Sequence, residues 1–239
     1  MDELELRLER LADRIELVCG AGDPGTGRMC IMAFVACLAG EGHTDHPSCA
    51  SPVIRAFAIP INDRMPGAVR RRLKPFAPRI LGTNDGLDRA RGMVLRRALA
   101  QEILPKLAEG CPRSPAAPPT SRGNPVGRLW SALRRRALHR RIVQLLEEGS
   151  GDGEWPGHEV RLARAAGTLL GLCAGRPRDA EEAEWCWNTA IGLLDRLCDV
   201  GPPHGRQRMA GIKADRLANL EEMLRASPGA NGPAPAHFG

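Results

Sequence analysis

Apolar residues recur at helical spacing through most of the chain. Leu4, Leu8, Leu11, Ile15 and Val18 predict one amphipathic helix over residues 2–18, with a single seam that needs a partner. The glycine-rich "GAGDPGTG" at 20–27 ends it. From Arg28 to Ala39 the chain is apolar nearly all round, which predicts a helix inside the core. Ser51 followed by Pro52 is a start signal, a capping hydroxyl and then proline at the first helical position, and "VIRAFAIPIND" continues that helix until Pro60 disturbs it.

Residues 67–82 are expected to be helical at first and broken by Pro75 and Pro78, and "TNDG" at 83–86 caps a long helix over 87–108. Further helical patterns cover 128–148, 158–174, 179–199 and 213–226. No strand alternation stands out. The fold class is therefore all-α, with about seven to eight helices.

Composition agrees. Only 3% of the 239 residues are aromatic and none is tyrosine, so the core is filled by Leu, Ala, Val and Ile, which suits packed helices. Between 111 and 127 the chain turns to Pro, Ser, Ala and Gly, with Pro112, Pro115, Pro118, Pro119 and Pro125. This predicts an N-terminal helical domain over 1–110, a flexible linker over 111–127 and a C-terminal helical part over 128–226. A disordered tail is expected over 227–239.

The net charge of +6 comes almost wholly from arginine, since Lys74, Lys106 and Lys213 are the only lysines. Such a bias also follows from GC-rich coding, so overall charge says little about a polyanionic partner. The acidic start "DELELRLERL" does not resemble a signal peptide, and the apolar run 29–40 is too short to span a bilayer. A cytoplasmic protein with reduced thiols and no membrane partner is expected.

Three stretches carry candidate chemistry. "GAGDPG" matches G-x-G-x-x-G formally, but a dinucleotide site needs a strand before it and a helix opening on its third glycine. An interhelical turn is the simpler expectation. "GEGHTDHPSC" places His43, Asp45, His46 and Cys49 within seven positions, downstream of Cys30 and Cys37. The last two are on the order of 10 Å apart along a helix and cannot share one zinc ion. Cys37, His43, His46 and Cys49 are therefore the candidate zinc set, and Cys49 beside His43 or His46 is a candidate nucleophile. Thr44, Asp45 and Ser48 are equally ordinary turn and capping residues.

The third stretch is "RLWSALRRRALHRR", where Arg134, Arg135, Arg136, Arg140 and Arg141 are candidate nucleic-acid contacts and Trp130 could stack on a base. Trp185 and Trp187 flanking Cys186 fit helix packing.

Over residues 29–83, "AGEGHTDHPSC" and its flanks resemble a segment of an uncharacterised bacterial protein family with the pattern A-G-E-x-H-[ST]-D-x-P-x-C. The resemblance implies no activity, ligand or catalytic residue. The expected function is a non-enzymatic helical binding or regulatory module that acts on a protein or nucleic-acid partner or associates with itself. The alternative is a metal-dependent or thiol hydrolase centred on His43, Asp45, His46 and Cys49.

Overall fold

The computed structural model describes residues 3–109, 125–148, 157–175, 180–201, 212 and 214–225. The expected tail and most of the expected linker lie outside these residues. The described chain is all-α apart from one small sheet. No described helix is long and apolar enough to cross a membrane.

Helix α1 (Glu3–Arg14) is shorter than its seam suggests. After Arg14 the burial period changes from helical to two: Ile15 and Leu17 are buried and Glu16 is exposed. These residues enter β1 (Glu16–Leu17), which runs parallel to β3 (Arg28–Met29), and β3 pairs antiparallel with β2 (Gly22–Asp23). The β-branched and apolar "IELV" meets a glycine-rich turn that folds a second segment back on it. Glu16 N and Val18 N donate to Gly27 O and Met29 O at 2.8 and 3.0 Å. Gly22 is required here: its φ is +76°, and a Cβ would lie 2.3 Å from Arg28 O.

Helix α2 (Ile31–Ala39) thus starts three residues later than expected, with the Cys30 thiol accepting from Ala33 N. Every one of its residues is buried. Helix α3 (Pro52–Arg64) begins as the sequence predicts: the Ser51 hydroxyl accepts from Val53 N and Ile54 N, and Pro52 is at the first position. Pro60 does not end it.

Short helices α4 (Gly67–Arg70) and α5 (Ala77–Ile80) flank a 3₁₀ turn over Arg71–Phe76. Helix α6 (Asp88–Ala98) passes through a π turn at Leu99–Ile103 into α7 (Leu104–Glu109). Pro105 explains the turn, because it has no N–H for the Gln101 carbonyl, and Leu104 N reaches back five residues to Leu99 O. The remaining helices are α8 (Pro125–Glu148), α9 (His158–Gly175), α10 (Ala180–Cys198) and α11 (Ala214–Arg225). Proline at its first position starts α8 inside the span expected as linker.

Buried side chains from Leu8 to Leu220 form a single cluster that includes residues on both sides of 110–124. Helix α9 lies at its centre, packed on α3, α6, α8 and α10, and its contact with α3 is the most extensive among the described elements. Small residues permit that approach. A Cβ on Gly167 would lie 2.6 Å from Phe57 O, and one on Gly171 would lie 2.5 Å from Arg64 Cδ. The seam of α1 is covered within the chain by α11, where Leu217 and Leu220 are buried and Arg7 forms a two-point pair with Glu221 at 2.8 and 3.0 Å.

Two polar devices fix the remaining geometry. Buried Asn62 donates from Nδ2 to Val18 O and accepts from Ile31 N, so α3 satisfies both the sheet edge and the first turn of α2. Arg91, with no exposed surface, donates twice to Asp85 at 2.6 and 2.8 Å and also to the carbonyls of Thr83, Leu197 and Val200. It joins the loop before α6 to the end of α10. Desolvation opposes ionisation of Asp85, but the Arg91 hydrogen bonds, the Leu87 amide and the Arg91 charge together outweigh it and hold the carboxyl below its usual range.

The close α3–α9 approach gives opposite outcomes for one substitution at two helical glycines. Gly192→Ala in α10, where a Cβ meets nothing within 4 Å, should stabilise by about 1 kcal/mol through helix propensity. Gly167→Ala should instead cost about 1–3 kcal/mol, because the Phe57 carbonyl is backbone and cannot move aside. Urea denaturation of the two variants measures both.

Candidate functional site

The turn between α2 and α3 is built before its histidines are considered. Gly40 ends α2 in the left-handed conformation at φ 74°, with Gly40 N bonded to Cys37 O and Glu41 N reaching Ala36 O at 3.0 Å. This is a Schellman ending. Glu41 then turns its carboxylate across the loop and accepts from Ser48 N at 2.6 Å and Cys49 N at 2.9 Å. Thr44 Oγ1 accepts from His46 N. Asn84 closes the far side, its backbone N donating to Cys49 O and its Nδ2 to Ser48 O. Gly40, Glu41 and Thr44 of "AGEGHTDHPSC" are accounted for by this loop architecture.

The four candidate zinc ligands face different partners. The Cys37 thiol points to Gly42 O at 3.8 Å. His43 Nε2 lies 2.9 Å from Ala21 O, and since a carbonyl can only accept, that nitrogen carries the proton. His46 Nδ1 pairs with the neighbouring Asp45 carboxylate. Cys49 is partly buried beside Glu41. Among the described residues, no group of three or more His, Cys, Asp or Glu side chains is arranged to hold a metal ion.

The thiols here are poor nucleophiles. Burial pushes Cys49 up to about 11, and the Glu41 carboxylate adds to that shift. Burial raises Cys37 to about 11 as well, with a smaller contribution from Cys30. Both are neutral thiols near pH 7, whereas thiolate is the reactive form. For Glu41, desolvation favours the neutral acid, but the hydrogen bonds from Ser48 and Cys49 prevail and its carboxyl sits below the usual range.

The dinucleotide pattern does not become a cofactor loop. A strand does precede it, but Pro24–Thr26 forms a 3₁₀ turn where the helix would have to open. A small recess lined by Gly20, Cys30, Ile31, Asp45, Ile59, Asn62 and Asp63 adjoins this loop. Its polar groups serve the fold: Asp63 accepts from Gly20 N and Asn62 Nδ2, and Asn62 holds Val18 and Ile31.

The arginine-rich stretch falls on α8. Ile142 and Leu145 are buried toward α9, and Arg136, Arg140 and Arg141 are exposed. Arg136 and Arg140 share one stripe, four residues apart. Arg141 donates to Gln144 at 2.9 Å and lies 3.6 Å from Glu148. Arg135 is half-buried and already interacts within the protein. The side chains of Arg134 and Trp130 lie outside the described residues.

Sequence reasoning did not single out Arg91. Its signal was an arginine sharing a helical face with Leu95 and Ala98, both of which are buried.

No family model, no curated protein and no solved structure matches the chain.

Removing the Glu41 brace should open the turn without unfolding the core. In Glu41→Gln the Ser48 and Cys49 amides should exchange roughly tenfold faster, the loss of about 1.4 kcal/mol of hydrogen bonding. Amides of α3 should keep their wild-type rates. Exchange measured residue by residue by NMR decides it.

Proposed function

We propose that the protein is a non-enzymatic helical binding module, and that the outward stripe of α8 carrying Arg136 and Arg140 docks the phosphate backbone of a nucleic acid. The observation that carries the reading is how α8 is held. Its apolar side, with Ile142 and Leu145, is spent on α9, which leaves exposed guanidinium groups at a fixed spacing on a helix anchored to the core. Arginine suits phosphate because its planar fork can donate two hydrogen bonds to one group. A helix already docked also loses little conformational freedom on binding.

The hydrolase alternative draws less support. It requires His43, His46 and Cys49 to converge, and each has a different partner, while Cys49 is held as a neutral thiol.

Affinity for short oligonucleotides, measured by fluorescence anisotropy across a salt series, tests the proposal. Each phosphate contact contributes roughly 0.7–0.9 to the slope of log affinity against log salt. Replacing Arg136 and Arg140 together with glutamine should therefore lower that slope by about 1.4–1.8 while leaving the melting temperature unchanged. Undetectable binding at low salt, or an unaltered slope in the double variant, contradicts the proposal.

A further inference from the structure

Helices α9 and α10 bring two thiols together inside the core. The helices are consecutive, joined by residues 176–179 and packed against one another, so they run antiparallel. Cys173 lies near the end of α9 and Cys186 near the start of α10, on either side of that connection. Both are free thiols, 3% and 0% exposed, and their side chains share a hydrogen bond across the helix interface. Cys30 and Cys37 make the contrast. They are two turns apart along one helix, on the order of 10 Å, and a disulfide needs Cα atoms within about 7 Å.

We propose that Cys173 and Cys186 form a redox-sensitive pair, which hydrogen peroxide converts into a disulfide that ties α9 to α10. The Cys173 sulfur, the one with residual exposure, attacks the peroxide O–O bond and becomes a sulfenic acid, and the departing oxygen leaves as water. The Cys186 sulfur then attacks the Cys173 sulfur. The S–O bond breaks, and the hydroxyl leaves as a second water with the proton that Cys186 gives up. Two thiols lose two electrons and two protons, and one peroxide becomes two waters.

The setting decides when this happens. The hydrogen bond with Cys173 and then burial push the Cys186 thiol far above the ordinary range, with Glu182 adding to the shift and Arg135 of α8 opposing it. Neutral thiols react slowly, so the docked pair is shielded, and local opening of α10 admits the peroxide. The disulfide closes when the helices dock again, because its sulfurs must come within about 2 Å of one another. It then holds α10 on α9, the helix at the centre of the core.

Peroxide treatment of the full-length protein tests the pair, with remaining thiols blocked in denaturant before trypsin digestion and mass spectrometry. The peptide ending at Arg178 should be linked to the one beginning at Asp179 through Cys173 and Cys186, and dithiothreitol should separate them. Closing so short a loop constrains the unfolded chain, so the melting temperature should rise by about 5 °C and return on reduction. In Cys173→Ala both changes should be lost.

Cys173 and Cys186 recovered as free thiols, or singly oxidised without the link, overturns the proposal, as does a linked protein that melts no higher. If the alanine variant does not fold, the wild-type peptide map and melting curves still decide. Oligonucleotide binding enters none of these readouts, so the thiol pair and the α8 interface fail separately.

Discussion

The fold rests on how closely α9 can approach α3. A chain with so few aromatic residues cannot fill wide spaces between helices, and here the spaces are narrowed. Gly167 faces the backbone of α3 at Phe57, Gly171 admits the stem of Arg64, and Gly92 of α6 leaves room for Glu159, whose Cγ would lie 2.4 Å from a Cβ there. Dispersion contacts depend steeply on separation, so a helix admitted this closely gains along its whole length. With α9 seated, α10 and α8 have surfaces to pack on, and residues far apart in sequence share one core.

The buried polar groups complete that arrangement by joining segments that packing alone would leave free to slide. Asn62 holds the small sheet to the end of α3, and Arg91 holds the loop before α6 to the end of α10. Each satisfies several backbone groups at once, which is why a buried guanidinium and a buried amide are tolerated in an otherwise apolar interior. Among the described residues, buried His158 at the start of α9 is the exception, with no hydrogen-bond partner at either ring nitrogen.

Much of this was legible from residue spacing. Ser51–Pro52 marked the start of α3, the 3.6-residue pattern located the long helices, and the apolar run ending at Ala39 gave the end of α2. Local patterns failed where a distant segment decided the outcome. Ile15 and Val18 fit a helical seam, but pairing with Arg28 and Met29 draws the chain into a strand.

The clustering of His43, His46 and Cys49 was visible, but the direction of each side chain depends on Ala21, Asp45 and Glu41, and spacing does not encode those contacts. The proline-rich composition of 111–127 marked a break in helix, yet the helices beyond it return to the same core. A composition shift marks a change in backbone preference and carries no information about which surfaces meet.

The single core can be tested most directly by cutting the chain between its two parts. A protease recognition sequence placed within 110–124 and cleaved in the folded protein should leave two fragments that elute together as a one-to-one complex and unfold in one cooperative transition. That result follows if α9 and α10 are required by α3 and α6. Two fragments that separate under native conditions, each with its own cooperative transition, would contradict the account.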